Sequence, residues 1–164
     1  MKQLSSKLAL LCALLASMFM IACSQGGSGS AAAVDDSPEA VAFRYRQGLM
    51  RGIAWKVGQL RAMTAGDAPV DEAVFTKSAN DLVTLAGMIT EGFIPNSDVQ
   101  GSAAQPDVWT NWSDFQAKAG EFQTGVQGLA DAVNSGGYAA AQGLVQGVGQ
   151  SCGNCHRPYR RRDE

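Results

Sequence analysis

Apolar residues recur every three or four positions along four stretches of the chain, which is the spacing of one face of an α-helix. The first stretch opens with Ser37-Pro38-Glu39, a typical helix start because serine caps the first turn and proline suits its first position. None of the stretches shows the alternation of a β-strand. The inward face of the first predicted helix consists of Phe43, Arg46, Met50, Ile53, Val57 and Leu60.

Three further helices are predicted at about residues 71–88, at about 108–133 and from Tyr138 onward. Turn-forming residues at 66–69, 95–106 and 134–137 separate the four helices. Because the first and third connections are short, consecutive helices are expected to be antiparallel. The pattern predicts an all-α fold, an antiparallel up-down-up-down four-helix bundle with a cofactor in its core. The inward faces of the last three helices consist of Phe75, Leu82 and Ile89, then Phe115, Ala119, Phe122, Val126, Leu129 and Val133, then Ala141, Val145, Val148, Cys152, Cys155 and Tyr159.

The N-terminus has the pattern of an export signal. Lys2 and Lys7 precede an apolar run at residues 8–21, and the run ends in Met-Ile-Ala-Cys at residues 20–23. A small residue before cysteine resembles the lipobox of bacterial lipoproteins, so we predict a signal peptide at residues 1–22 and acylation of Cys23. The alternative is an uncleaved membrane helix, but the run is shorter than the roughly 20 residues that span a bilayer.

Behind Cys23 we predict a flexible tether at residues 23–36 and one domain at residues 37–164. The tether is mostly Gly, Ser and Ala, a composition typical of flexible linkers. The predicted location is the periplasm, with the lipid on Cys23 as the only attachment to a membrane. By resemblance to bacterial lipoproteins, Ser24 after the cysteine favours the outer membrane.

The charge of the mature chain excludes some partners. Without Lys2 and Lys7, 11 basic residues remain against 15 acidic ones, which gives a net charge near −4. An acidic protein is not expected to bind nucleic acid or to adhere electrostatically to anionic lipid.

The chemistry of the chain is concentrated in Cys152-Gly153-Asn154-Cys155-His156, nine residues from the C-terminus. C-x-x-C-H is the attachment sequence of c-type haem. Each thiol forms a thioether with a haem vinyl group, and the histidine becomes an axial ligand of the iron. His156 is the only histidine in the chain. We therefore predict one haem c per chain, attached through Cys152 and Cys155.

Two other uses of these cysteines fit less well. A structural zinc site needs four ligands, and after loss of Cys12 and acylation of Cys23 the mature protein has no fourth one. A redox C-x-x-C would need a thioredoxin-like strand-helix context, which the sequence does not show. With every thiol accounted for, no disulfide is expected.

Glycines interrupt the fourth predicted helix at positions 143, 147, 149 and 153. Each costs about 1 kcal/mol relative to alanine. We favour the interpretation that the bare backbone admits a flat macrocycle whose burial offsets this loss. The alternative is a loose composition that tertiary packing tolerates.

The opening helix contains Tyr45-Arg46-Gln47-Gly48-Leu49-Met50. Together with four helices and C-x-x-C-H near the C-terminus, this string resembles cytochrome c′, the main branch of the class II c-type cytochromes. The resemblance extends over residues 37–162. It implies the following site: Cys152 and Cys155 as the thioether cysteines, His156 as the proximal ligand, Arg46 and Gln47 beside the haem propionates, Met50 over the distal face of the iron, and Arg160 at the border of the proximal pocket.

Pro158 departs from the pattern of this family, in which the last helix continues past the histidine. Proline lacks the amide that would bond the Asn154 carbonyl, and its ring crowds that same carbonyl. It also biases Arg157 away from helical geometry. We therefore expect a kink or an early end after His156, which would turn Arg160 elsewhere and leave it in a solvated basic tail.

Met50 separates two functions within the family. If its thioether binds the iron, the haem is six-coordinate and low-spin, and the protein is an electron carrier. If Met50 only covers the open face, the iron is five-coordinate and binds small gases. A third alternative is ordinary core packing. We favour occlusion, because the string from Arg46 to Met50 resembles the five-coordinate branch.

The resulting expectation is a periplasmic haem protein that binds nitric oxide or carbon monoxide and exchanges single electrons with an unidentified periplasmic partner. An enzyme is not expected, because peroxide cleavage needs a distal acid-base group and there is no second histidine. A haem-free binding lipoprotein is the remaining alternative. The resemblance also leaves open a homodimer through the first two helices.

Overall fold

The computed structural model describes residues 35–162, which form an all-α bundle. Between these residues no strand is present, only an isolated bridge between Ala104 and Arg160. No helix of this part of the chain is long and apolar enough to cross a membrane. The predicted signal peptide and Cys23 lie outside the described residues. The four long helices are α1 (Pro38–Ala65), α2 (Glu72–Gly87), α3 (Trp112–Ala141) and α4 (Val145–Tyr159).

The starts of the first two helices are those that the sequence predicts. The Ser37 hydroxyl accepts a hydrogen bond from the Ala40 amide at 3.3 Å, and proline occupies the first helical position. At α2, the Asp71 carboxylate accepts hydrogen bonds from the Ala73 and Val74 amides, each at 3.0 Å. Both side chains satisfy amides that the first turn leaves without a partner.

The third helix differs from its predicted bounds at both ends. A separate one-turn helix, Asp107–Thr110, precedes it, and Asn111 is non-helical with φ −114° and ψ 42°. The predicted start near residue 108 is therefore wrong, and α3 begins at Trp112. Its helical geometry breaks at Gly136 and Gly137, within the predicted turn, where Gly137 has φ 66°. Glycine adopts this left-handed conformation without strain. The chain then continues through a 3-10 turn, Gln142–Leu144, into α4.

Most residues of the predicted inward faces form the core, but Phe43 and Met50 of α1 are only half-buried. All six residues that the sequence assigns to the face of α3 are buried, as are Phe75, Leu82 and Ile89. On α1, Leu49 and Met63 join the predicted core residues. Ala141, Val145, Val148 and Tyr159 of the fourth stretch are buried, and the two cysteines between them are half-buried. The four-helix bundle is thus confirmed.

The expected early end of the last helix after His156 is wrong. Helix α4 continues through Pro158 to Tyr159, and the Arg160 amide donates to the His156 carbonyl at 3.1 Å. Tyr159 is buried, and its hydroxyl donates to the Asp114 carboxylate at 2.5 Å. Proline forfeits only one hydrogen bond here, to Asn154, which is exposed to water. The contacts of Tyr159 outweigh that loss.

Candidate functional site

The two thiols of C-x-x-C-H lie on the core side of α4. Cys152 and Cys155 are free, half-buried and packed against the hydrophobic core. The Cys152 thiol donates to the Val148 carbonyl at 3.4 Å. Burial raises the pKa of both thiols above its usual range. A redox C-x-x-C motif has a lowered pKa instead, so the environment of these thiols differs from that of a dithiol redox site.

His156 follows on the same helix and is an exposed residue. Burial lowers the pKa of its imidazole, and the positive charge of Arg160 lowers it further. A lowered pKa keeps the ring neutral, which is the form that binds a metal. Two thiols and a neutral imidazole, at this spacing and on one helix, fit a covalently attached haem.

The predicted residues of α1 divide between the core and the surface. Met50 is half-buried and packs against the core, whereas Gln47 is exposed. One turn before Met50, Arg46 is buried with 5% of its surface exposed. The sequence placed these three residues near the haem, and their roles toward it stay predictions.

The guanidinium of Arg46 is hydrogen-bonded to the connection between α2 and the one-turn helix. One terminal nitrogen of its guanidinium donates to the Gly92 carbonyl and, at 2.7 Å, to the Ser97 hydroxyl. The other donates to the Ser97 carbonyl at 2.6 Å. Its charge also lies 4.8 Å from the centre of the Phe93 ring. Sequence reasoning missed this role, although a charged residue on an otherwise apolar helix face signals a buried partner.

Arg160 lies just beyond α4 in extended conformation, with φ −122° and ψ 128°. It pairs with Ala104 in the isolated bridge, and its charge acts on His156. This position is compatible with the predicted border of the proximal pocket. That role remains a prediction.

An aromatic cluster surrounds the end of α4, and the sequence did not indicate it. Its centre is Phe115, whose ring lies 5.3 Å from Tyr159 and 4.6 Å from Phe93. The Trp109 indole donates to the Ile94 carbonyl at 2.9 Å. These residues are distant in sequence, and only the third helix and the connection before it bring them together.

The glycines of α4 are not crowded by the protein. A Cβ atom added at Gly147, Gly149 or Gly153 would meet nothing within 4 Å, and the same holds at Gly143 in the preceding turn. Gly149 precedes His156 by seven residues and therefore shares its side of the helix, whereas Gly147 lies opposite. The interpretation that a glycine admits the macrocycle therefore applies to Gly149 and not to Gly147.

An all-α bundle of four helices with C-x-x-C-H on the core side of its last helix defines a class, the four-helix c-type cytochromes. The family model described as Cytochrome C' matches residues 41–160. The chain belongs to the cytochrome c′ family, whose members are haem proteins with covalently bound haem c.

Named relatives agree with this assignment. Cytochrome c-556 from Agrobacterium fabrum is 35% identical over 121 residues, which cover 70% of this chain and 77% of that protein. Cytochrome c prime from Shewanella frigidimarina superposes with a TM-score of 0.72 at 33% identity, covering 77% of this chain and 98% of that one. A nitric oxide complex of a variant cytochrome c prime from Alcaligenes xylosoxidans gives 0.69 at 29% identity, covering 77% and 98%.

Proposed function

We propose that this protein is a periplasmic cytochrome that binds nitric oxide or carbon monoxide at a five-coordinate haem iron and transfers single electrons. Cys152 and Cys155 would hold one haem c and His156 would supply its axial ligand. The bound haem supplies the redox centre and the site for the gas. The observation that carries the proposal is the half-buried thiol pair on the core side of α4, with His156 directly after it on the same helix.

The side chains of α1 support a distal pocket without hydrogen-bond donors. Met50 faces the core with a thioether, which donates nothing. The Tyr45 hydroxyl donates to Glu91 at 2.7 Å, and the Arg46 guanidinium donates to the connection after α2. Since the Tyr45 hydroxyl and the Arg46 guanidinium are engaged elsewhere, neither would stabilise a bound dioxygen, while nitric oxide needs no donor. The solved nitric oxide complex of a relative supports this choice of ligand.

The alternative is a six-coordinate, low-spin electron carrier with His156 and Met50 as axial ligands. It is favoured by one observation, the soft thioether of Met50 on the core side of α1. Binding of this sulfur would raise the potential of the iron. A peroxidase is not proposed, because peroxide cleavage needs a distal acid-base group and the chain has no histidine besides His156.

Met50→Ala distinguishes the two functions. If Met50 only occludes, the ferrous spectrum of the variant stays high-spin and nitric oxide binds faster, because a steric barrier is removed. If Met50 ligates, the spectrum changes from low-spin to high-spin and the potential falls. Met63→Ala is the matched control: this buried methionine lies thirteen residues along α1, about 20 Å away, and should alter stability without altering the spectrum.

The location rests on the N-terminal sequence. We propose export, acylation of Cys23 and attachment to the outer membrane. Cys23→Ser should release the protein from the membrane fraction with its haem still attached. Cys12→Ser, inside the predicted signal peptide, should leave the attachment unchanged. Wild-type protein that is recovered without an acyl mass would contradict the proposal.

A homodimer through α1 and α2 is also proposed. The support from this chain is Trp55 on α1, which has 67% of its surface exposed. Large exposed aromatic side chains are enriched at protein interfaces. Sedimentation of wild-type protein and of Trp55→Gln tests it, since the dimer should weaken only in the variant.

A further inference from the structure

The end of α4 that carries His156 is held by contacts from outside the helix. We propose that Arg46 is a positioning residue for His156 and acts through the connection at residues 88–106. This inference rests on the proposed function only in that His156 is the ligand to be positioned. Two links carry it, one from Arg46 to the connection and one from the connection to the end of α4.

The first link is a buried guanidinium that donates to two main-chain carbonyls and two serine hydroxyls. Besides its bonds to Gly92 and Ser97, Arg46 donates to the Ser102 hydroxyl at 3.5 Å. Gly92 approaches α1 so closely that a Cβ atom there would lie 2.7 Å from both Arg46 Cγ and Tyr45 Cδ1. A buried charge without partners is costly, so these oxygens and the guanidinium fix one another.

The second link joins the connection to the chain just after His156. The Gln105 amide donates to the Tyr159 carbonyl at 3.0 Å, and the Arg161 amide donates to the Ala103 carbonyl at 2.8 Å. The Arg161 guanidinium donates to the Ser102 carbonyl. Ser102 thus accepts a hydrogen bond from Arg46 through its hydroxyl and another from Arg161 through its carbonyl.

These contacts matter because the last turn of α4 is weak. Pro158 removes one of its main-chain hydrogen bonds, and helix ends fray when little holds them. The Arg160 amide donates to the His156 carbonyl at 3.1 Å. Arg160 itself pairs with Ala104 in the isolated bridge, and the next residue, Arg161, is hydrogen-bonded to Ala103. Restraining residues 160–161 therefore restrains the backbone of His156 itself.

Arg161→Gln against Arg162→Gln tests the second link in the haem-loaded protein. Both changes remove one exposed positive charge, but only Arg161 contacts the connection. In Arg161→Gln we expect exchange of the Gln105 and Arg161 amides to rise about ten- to hundredfold, the range for losing a hydrogen bond to a charged group. The iron–histidine stretching band in the ferrous resonance Raman spectrum should shift or broaden. Arg162→Gln should resemble wild type in both measurements.

Arg46→Lys against Arg44→Lys tests the first link. Lysine keeps the charge but loses the planar fork that reaches several oxygens at once. Arg46→Lys should raise the hydrogen-exchange rates of the Gln105 and Arg161 amides and shift the iron–histidine stretching band. Arg44→Lys should change neither measurement. If Arg46→Lys does not fold, Ser97→Ala tests the same link, because it removes the hydroxyl that accepts a hydrogen bond from Arg46 at 2.7 Å.

The two possible failures are distinguishable. Wild-type protein without a Soret band would reject the proposed function. The positioning role of Arg46 would be rejected by an intact Soret band together with amide exchange and an iron–histidine band that are the same in Arg46→Lys as in Arg44→Lys, or the same in Arg161→Gln as in Arg162→Gln. The proposed function would then still stand.

Discussion

The pair formed by α2 and α3 differs from α4 in what stabilises it. Helices α2 and α3 bury large apolar side chains completely, whereas α4 buries only Val145, Val148 and Tyr159. Between these residues α4 carries glycines and two half-buried thiols. The fully buried side chains of the first region include Phe75, Leu82, Val126 and Leu129, each 0% exposed.

The difference indicates that α4 depends on other sources of stability. Three glycines at about 1 kcal/mol each weaken it as a helix, and little apolar burial offsets them. Two sources are available on the described residues: the contacts of its end with the connection at residues 88–106, and the haem proposed for Cys152 and Cys155. The first region should fold with little help from the haem, and the second should not.

The largest effect is expected from Cys152→Ala/Cys155→Ala, which removes both attachment points. The product should be poorly helical and sensitive to proteases, because α4 loses the group whose burial stabilises it. Circular dichroism and limited proteolysis measure this, with the first cuts expected in residues 145–159. Native helicity and cooperative melting in the double variant would contradict the expected difference between the two regions in their dependence on haem.

Leu82→Ala and Leu144→Ala compare a buried leucine of the first region with an exposed leucine at the approach to α4. Leu82 is fully buried between α2 and its neighbours, so its truncation should lower the free energy of unfolding by about 2–5 kcal/mol. Leu144 is 45% exposed just before α4, and its truncation should change the free energy by no more than about 0.5 kcal/mol. Denaturant unfolding of the haem-loaded protein gives both values. Equal losses would mean that the two regions do not differ in packing.

The smallest effect concerns the glycines. Gly147→Ala should stabilise the protein by about 1 kcal/mol and leave the haem spectrum unchanged, because the added methyl group meets nothing within 4 Å and lies opposite His156. Gly149→Ala, on the side of His156, should disturb the Soret band. If both variants are stabilised with unchanged spectra, the glycines are only a loose composition that the fold tolerates.

The sequence was sufficient to predict the four-helix bundle because helical periodicity and helix caps depend only on neighbouring residues. Ser37 and Asp71 begin their helices as expected, and the break at Gly136 and Gly137 falls inside the predicted turn. The start of α3 was wrong because Asn111 interrupts an apolar pattern that continues on both sides of it. A periodic pattern of apolar residues alone does not reveal a single non-helical residue within it.

The attachment sequence was equally local, but its surroundings were not. The end of α4 was mispredicted because the buried Tyr159 and its bond to Asp114 outweigh the local preference of Pro158. The contacts of Arg46 with Ser97 and Ser102 span more than fifty residues of chain. Such contacts depend on the packing of the whole bundle, which no local pattern contains.

The ferrous absorption spectrum of the purified wild-type protein, before and after addition of nitric oxide, tests the central claim most directly. A five-coordinate iron gives broad high-spin bands that change on addition of the gas, and this is the result that we predict. Sharp low-spin bands that resist nitric oxide would contradict the claim. Collapse of those low-spin bands in Met50→Ala would then establish Met50 as an axial ligand and the protein as an electron carrier.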